Sequence, residues 1–70
     1  KNFFDFINYY RVENAKILLA DSVYKGSILD VFEQSGFNSK SAFNRFFKKY
    51  THTTPSEFRR LHKADSALEP

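Results

Sequence analysis

The chain has 70 residues, 11 of them basic and 8 acidic, a net charge of +3 at neutral pH, and no cysteine. That length allows one small domain around one core. The lack of cysteine excludes disulfides, thiolate zinc sites and a thiol nucleophile and suits a reducing cytoplasm, while no apolar run approaches the roughly 20 residues of a membrane span and no basic-then-apolar leader opens the chain. Nine Phe and four Tyr supply the large side chains that a domain of this size needs when it has no staples, and they favour an all-α fold, a small bundle of helices.

The first predicted helix runs from about Phe3 to Ala20, with Asn2 as its N-cap and Asp5 three residues on, close to a capping box. On a helical wheel Phe3, Phe6, Tyr10 and Ile17 form one apolar stripe, and Phe4, Ile7, Ala15, Leu18 and Leu19 another. Together they span roughly 220°. So wide a surface calls for partners on two sides, and the three later helices supply one. Arg11 interrupts the stripe, which predicts a buried stem with its head on a carboxylate or on helix-end carbonyls.

Gly26 breaks the chain, and Ser27 with Asp30 caps a short second helix that carries Ile28, Leu29, Val31 and Phe32 and ends near Ser35. Gly36 then supplies the positive φ of a tight inter-helix turn, and Phe37 re-enters the core. Asn38 or Ser39 caps the third helix, roughly Ser39 to Tyr50, in which Phe43, Phe46, Phe47 and Tyr50 fall at i, i+3, i+4 and i+7. One face is therefore buried. Lys40, Ser41, Asn44, Arg45 and Lys48 occupy a separate arc of about 140° with no acid among them. The fourth helix opens on Thr54-Pro55-Ser56-Glu57, which combines an N-cap, proline at the first helical position and a reciprocal Glu. Phe58 and Leu61 are expected to point inward and Arg59, Arg60, His62 and Lys63 outward, with residues 64–70 as a flexible tail.

Charge follows the same division. Residues 1–37 carry four basic against five acidic side chains, whereas residues 38–63 carry seven basic side chains against Glu57 alone. A basic segment inside a mildly basic chain points to a localised polyanion contact. His52 and His62 have no ligand partners at metal spacing. The Ser residues read as helix caps or polar contacts, and no nucleophile–base set emerges, so the expectation is no enzyme, no metal and no cofactor.

These residues resemble the second half of the DNA-binding domain of AraC/XylS family transcription regulators. The resemblance covers nearly everything from Phe3 to Lys63. It is carried by Gly36-Phe37-x-Ser39-x-Ser41-x-Phe43-x-Arg45-x-Phe47-Lys48-Lys49, followed by Thr54-Pro55-Ser56-Glu57-Phe58-Arg59. The pattern Phe6-Ile7-x-x-x-Arg11, continued by Ala15-x-x-Leu18-Leu19, resembles the family's linker helix. The resemblance implies a seven-helix domain in which that linker joins two helix-turn-helix units entering successive major-groove segments. Residues 1–63 are then the linker plus the second unit. The first unit, a sensor domain and a contact with RNA polymerase are implied beyond this chain. Two positions depart from the pattern. Phe32 stands where a small Ala is usual, which requires looser or rearranged packing, and His52 stands where Gly is usual in αL geometry.

The resemblance places the base-reading side chains at Lys40, Ser41, Asn44 and Arg45, with Arg45 suited to guanine and Asn44 to adenine. Lys48 and Lys49, further along the helix, and Ser39 at its cap suit phosphate contacts. The starts of the second and fourth helices offer backbone N–H groups to phosphates as well. The implied partner is double-stranded DNA. The rival reading is a protein-interaction or dimerisation module using the apolar face of the first helix, with self-association as its sign. A basic amphipathic membrane binder is the weakest reading, because the helices are punctuated for compact packing and lack a Trp-bearing interfacial face.

Overall fold

A computed structural model describes residues 2–67, with side chains through His62. The described residues form four helices and no strand: α1 (Phe3–Ala20), α2 (Ile28–Ser35), α3 (Lys40–Thr51) and α4 (Pro55–Ala67). Each start is fixed by the residue that the sequence marks for it. Asn2 Oδ1 accepts from the Asp5 N–H at 2.8 Å, and Ser39 Oγ from the Ala42 N–H at 3.1 Å. Ser27 with Asp30 and Thr54 with Glu57 each close a reciprocal box, at 2.8 and 3.1 Å for the first and 2.9 and 3.1 Å for the second. A capping hydroxyl or amide of this kind stabilises its helix by about 1 kcal/mol.

The turns behave similarly. Gly36 ends α2 at φ 95°, and His52 ends α3 at φ 64°, its N–H donating to the Lys48 carbonyl at 2.8 Å. Thus the histidine takes the left-handed position that the sequence pattern asks of a glycine. Before α2 the Tyr24 ring lies so close over Gly26 that any Cβ there would strike it. The fourth helix continues past the expected end at Lys63 to Ala67. Residues 64–67 contain nothing that stops a helix, and proline comes only at position 70. The remainder of the expected tail, residues 68–70, lies outside the described residues.

The core is built around α1, which packs on each of the other three helices. Val12, Ala15 and Leu19 of α1 meet Val31 of α2, Phe37 of the turn, Phe43 and Phe47 of α3 and Phe58 of α4. Phe47 is fully buried, with its ring edge-on to Phe58 at 5.5 Å. Burial of one such side chain contributes about 1.5–3 kcal/mol. Phe32, half-buried, leans on Phe43 at 5.6 Å. Phe32 also lines a groove of about 180 Å³ between α2 and α3.

Several side-chain assignments need correction. The buried line of α1 is Asn8, Val12, Ala15 and Leu19, while Phe4, which shares a wheel stripe with Ala15 and Leu19, is 74% exposed. Leu61 of α4, expected inside, is 48% exposed. Arg59, expected outside, is half-buried and donates from Nη2 to the Gly26 carbonyl, tying α4 to the loop before α2. Arg11 is half-buried as expected, but its head rests elsewhere: Nη1 donates to Asn8 Oδ1 at 3.2 Å and Cζ lies 5.6 Å from the Phe37 ring. A neutral amide and a π face take the place of the anticipated carboxylate or helix-end carbonyls.

Candidate nucleic-acid interface

A helix that anchors by one face and offers the other must first be held firmly. In α3, Phe43 and Phe47 are buried and Phe46, Tyr50, Ala42 and Thr51 half-buried. The Thr51 hydroxyl donates to the Phe47 carbonyl at 2.8 Å and accepts from the Thr53 N–H at 3.1 Å, which stiffens the exit of the helix. Opposite this anchored side, Lys40, Ser41, Asn44, Arg45, Lys48 and Lys49 are all exposed, and so is Ser39 at the cap. The structure thus gathers all seven side chains singled out by sequence on one helix and its cap, facing solvent.

Their electrostatic setting is set by what is missing nearby. The first turn of α3 holds no acid, whereas α1, α2 and α4 begin with Asp5, Asp30 and Glu57. The positive end of the α3 dipole and the first-turn N–H groups that lack an intrahelical acceptor are therefore open to an anion. By contrast, the starts of α2 and α4 already hold carboxylates of their own, which oppose a phosphate there. The backbone hydrogen bond from Thr54 holds the Glu57 carboxyl below its ordinary pKa, with Lys48 and Arg60 adding smaller pulls in the same direction. Glu57 therefore stays ionised and slightly offsets the field of Lys48.

The exposed face has two flanks. On the α2 side, Lys40 and Asn44 border the groove lined by Ile28, Leu29, Phe32 and Phe43. On the other side, Arg45 Cζ lies 5.0 Å from the Phe46 ring and Lys49 Nζ 5.9 Å from it. The spacing pattern assigned Phe46 and Tyr50 simply to the core. The structure leaves both half-buried with cations on their faces. The i, i+3 spacing of Phe46 and Lys49 was the available signal. Leu29 lies 45% exposed at the edge of the other flank.

The remaining feature is aromatic. Phe3, Phe6, Tyr9 and Tyr50, with Asn2 and Asp5, line a groove of about 510 Å³ at the start of α1. Phe3 is 72% and Ile17 67% exposed. Among the described residues no cluster of three or more His, Asp or Glu could hold a metal ion, and no helix is long and apolar enough to cross a membrane.

Residues 1–61 match the family model described as "Helix-turn-helix domain". The chain is 41% identical over 58 residues to an uncharacterized HTH-type transcriptional regulator of Staphylococcus aureus strain COL, which covers 81% of this chain and 7% of that protein. It is 42% identical over 55 residues to another such regulator, from strain MSSA476, with 77% and 7% covered. To the uncharacterized HTH-type transcriptional regulator YijO of Escherichia coli K12 it is 34% identical over 68 residues, with 97% and 23% covered. The chain spans less than a quarter of the length of each of these relatives. No solved structure matches the chain significantly.

Proposed function

Because the chain belongs to the AraC-type helix-turn-helix domain family, we propose that it binds double-stranded DNA sequence-specifically as part of a bacterial transcription regulator in the cytoplasm, with α3 in the major groove. One observation carries this reading: α3 buries its aromatic side while seven donor side chains and an acid-free helix start face solvent. Such a face attracts phosphates and can donate to base edges.

In this reading Lys40, Ser41, Asn44 and Arg45 contact bases. Arg45 grips guanine O6 and N7, and Asn44 pairs with adenine. Ser39, Lys48 and Lys49 hold phosphates and set the register of the helix on the duplex. α1 serves as the linker helix to a first helix-turn-helix unit, and its exposed aromatic stripe is the surface that unit covers. The regulator's contact with RNA polymerase belongs to the same family reading. A free-standing interaction module is not favoured, since the relatives carry the name of transcriptional regulators. The uncovered stripe is nevertheless expected to make this chain self-associate at high concentration.

The test is selection of duplexes from a random pool, followed by titration at several salt concentrations. The log of affinity should fall with the log of salt at about 0.9 per phosphate neutralised, and affinity should be micromolar or weaker for a single unit. A flat salt dependence, or no enriched sequence, would refute it. Light scattering of the wild type and a Phe3→Ser/Phe6→Ser variant tests the stripe separately: the variant should stay monomeric and bind DNA unchanged.

A further inference from the structure

Phe46 sits where the aromatic interior of the domain meets its cationic face. Its half-buried ring stacks with Phe37 of the turn at 6.1 Å and 11° and with Tyr50 at 6.4 Å and 18°. Tyr50 in turn meets the edge of Tyr9 at 5.6 Å and donates its hydroxyl to the Asp5 carbonyl at 3.4 Å. The column is therefore fixed by the turn at one end and by α1 at the other. Two exposed cations rest on it: Arg45 Cζ lies 5.0 Å from the Phe46 centroid, and Lys49 Nζ 5.9 Å from Phe46 and 5.6 Å from Tyr50. Among the described residues the one ion pair is Lys16 with Glu13, so neither cation is held by a carboxylate. The rings hold them.

We infer that Phe46 is a positioning residue for base recognition: its ring fixes the guanidinium of Arg45 in place before DNA arrives. This rests on the reading of Arg45 as a base contact. A long side chain on a helix surface loses rotamer freedom when it engages a base, and a ring that restricts it beforehand removes part of that loss. A guanidinium lying over a ring presents its flat face to the π cloud and keeps its in-plane N–H donors for a bidentate acceptor. Lys49, a point charge on the same column, gains no such directional benefit. Phe46 therefore acts on discrimination through Arg45 and leaves the phosphate contact of Lys49 largely untouched.

The experiment uses the 70-residue chain and a selected duplex, with each base pair of the site changed in turn. Affinities are measured for wild type, Arg45→Ala, Phe46→Leu, the double variant, and a chain with 3,5-difluorophenylalanine at position 46. The fluorinated ring keeps the shape of Phe46 but weakens its negative face, so it stays informative even if Phe46→Leu fails to fold. Both Phe46 changes should reduce discrimination by about two- to five-fold at the one base pair whose discrimination Arg45→Ala removes, and the double variant should match Arg45→Ala there. The inference is overturned if the fluorinated chain discriminates like wild type at that base pair, or if it weakens every sequence equally. If Arg45→Ala alters no base preference, the underlying reading of Arg45 fails, and that result is visible without touching Phe46.

Discussion

Two helices of this domain are both rich in aromatic residues and use them in opposite ways. α3 turns Phe43 and Phe47 fully inward, keeps Phe46 and Tyr50 at the margin and leaves cations and amides outside. α1 buries Asn8, Val12, Ala15 and Leu19 and leaves Phe3, Phe4, Phe6, Tyr9, Tyr10 and Ile17 in solvent. The contrast separates two kinds of surface. The outer face of α3 is already in a low-energy state in water and waits for a polar, anionic partner. The outer face of α1 is not, and gains from being covered.

The sharpest way to break this comparison is to truncate a phenylalanine on each helix. Phe47→Ala should destabilise the domain by about 3–5 kcal/mol, enough to unfold a chain of this size, whereas Phe4→Ala should change stability by less than about 0.5 kcal/mol. Chemical denaturation followed by circular dichroism distinguishes them, and equal losses would mean that Phe4 is packed after all. The next effect concerns the ligand. Arg45→Ala should lower discrimination at one base pair by about 1–3 kcal/mol, while Lys49→Ala should weaken all duplexes alike and reduce the salt slope by about one unit. Identical behaviour of the two variants would remove the distinction between reading and holding on α3.

Smaller effects sharpen the same contrast at the helix ends. His52 closes α3 at positive φ, so His52→Gly should raise stability by about 1 kcal/mol, visible as a higher melting temperature. The same substitution at an ordinary helical position would lower it. The smallest effect is pH dependent and belongs to α4. The folded state holds the Glu57 carboxyl below its ordinary pKa, so the folded form binds a proton less readily than the unfolded chain. Its capping contribution is fully present above the ordinary glutamate pKa and is lost as the pH falls through the lowered folded value. Melts of wild type and Glu57→Gln should converge in acid and separate toward neutrality, and parallel curves would show that the box contributes through shape alone.

Helix starts, and the turns that end α2 and α3, were legible in the sequence because they depend on neighbours within four residues. Asn2, Ser27, Ser39 and Thr54 cap the helices that they were expected to cap, and Gly36 and His52 take the left-handed positions. So was the division of α3 into an aromatic side and a donor side, since a 3.6-residue period suffices to assign faces when each is chemically uniform. What lay beyond the sequence was which half of a broadly apolar helix finds partners. Composition gave α1 two stripes of similar merit, and only the placement of α2, α3 and α4 chose the line through Val12, Ala15 and Leu19 and left Phe4 outside. The same limit explains Arg11 over Phe37, Arg59 on the Gly26 carbonyl and Arg45 over Phe46. A long cationic side chain has several reachable partners of nearly equal merit, and the geometry of the packed elements decides among them. Local chemistry thus settled the elements and the donor face of α3, and packing at a distance settled which surfaces remain open.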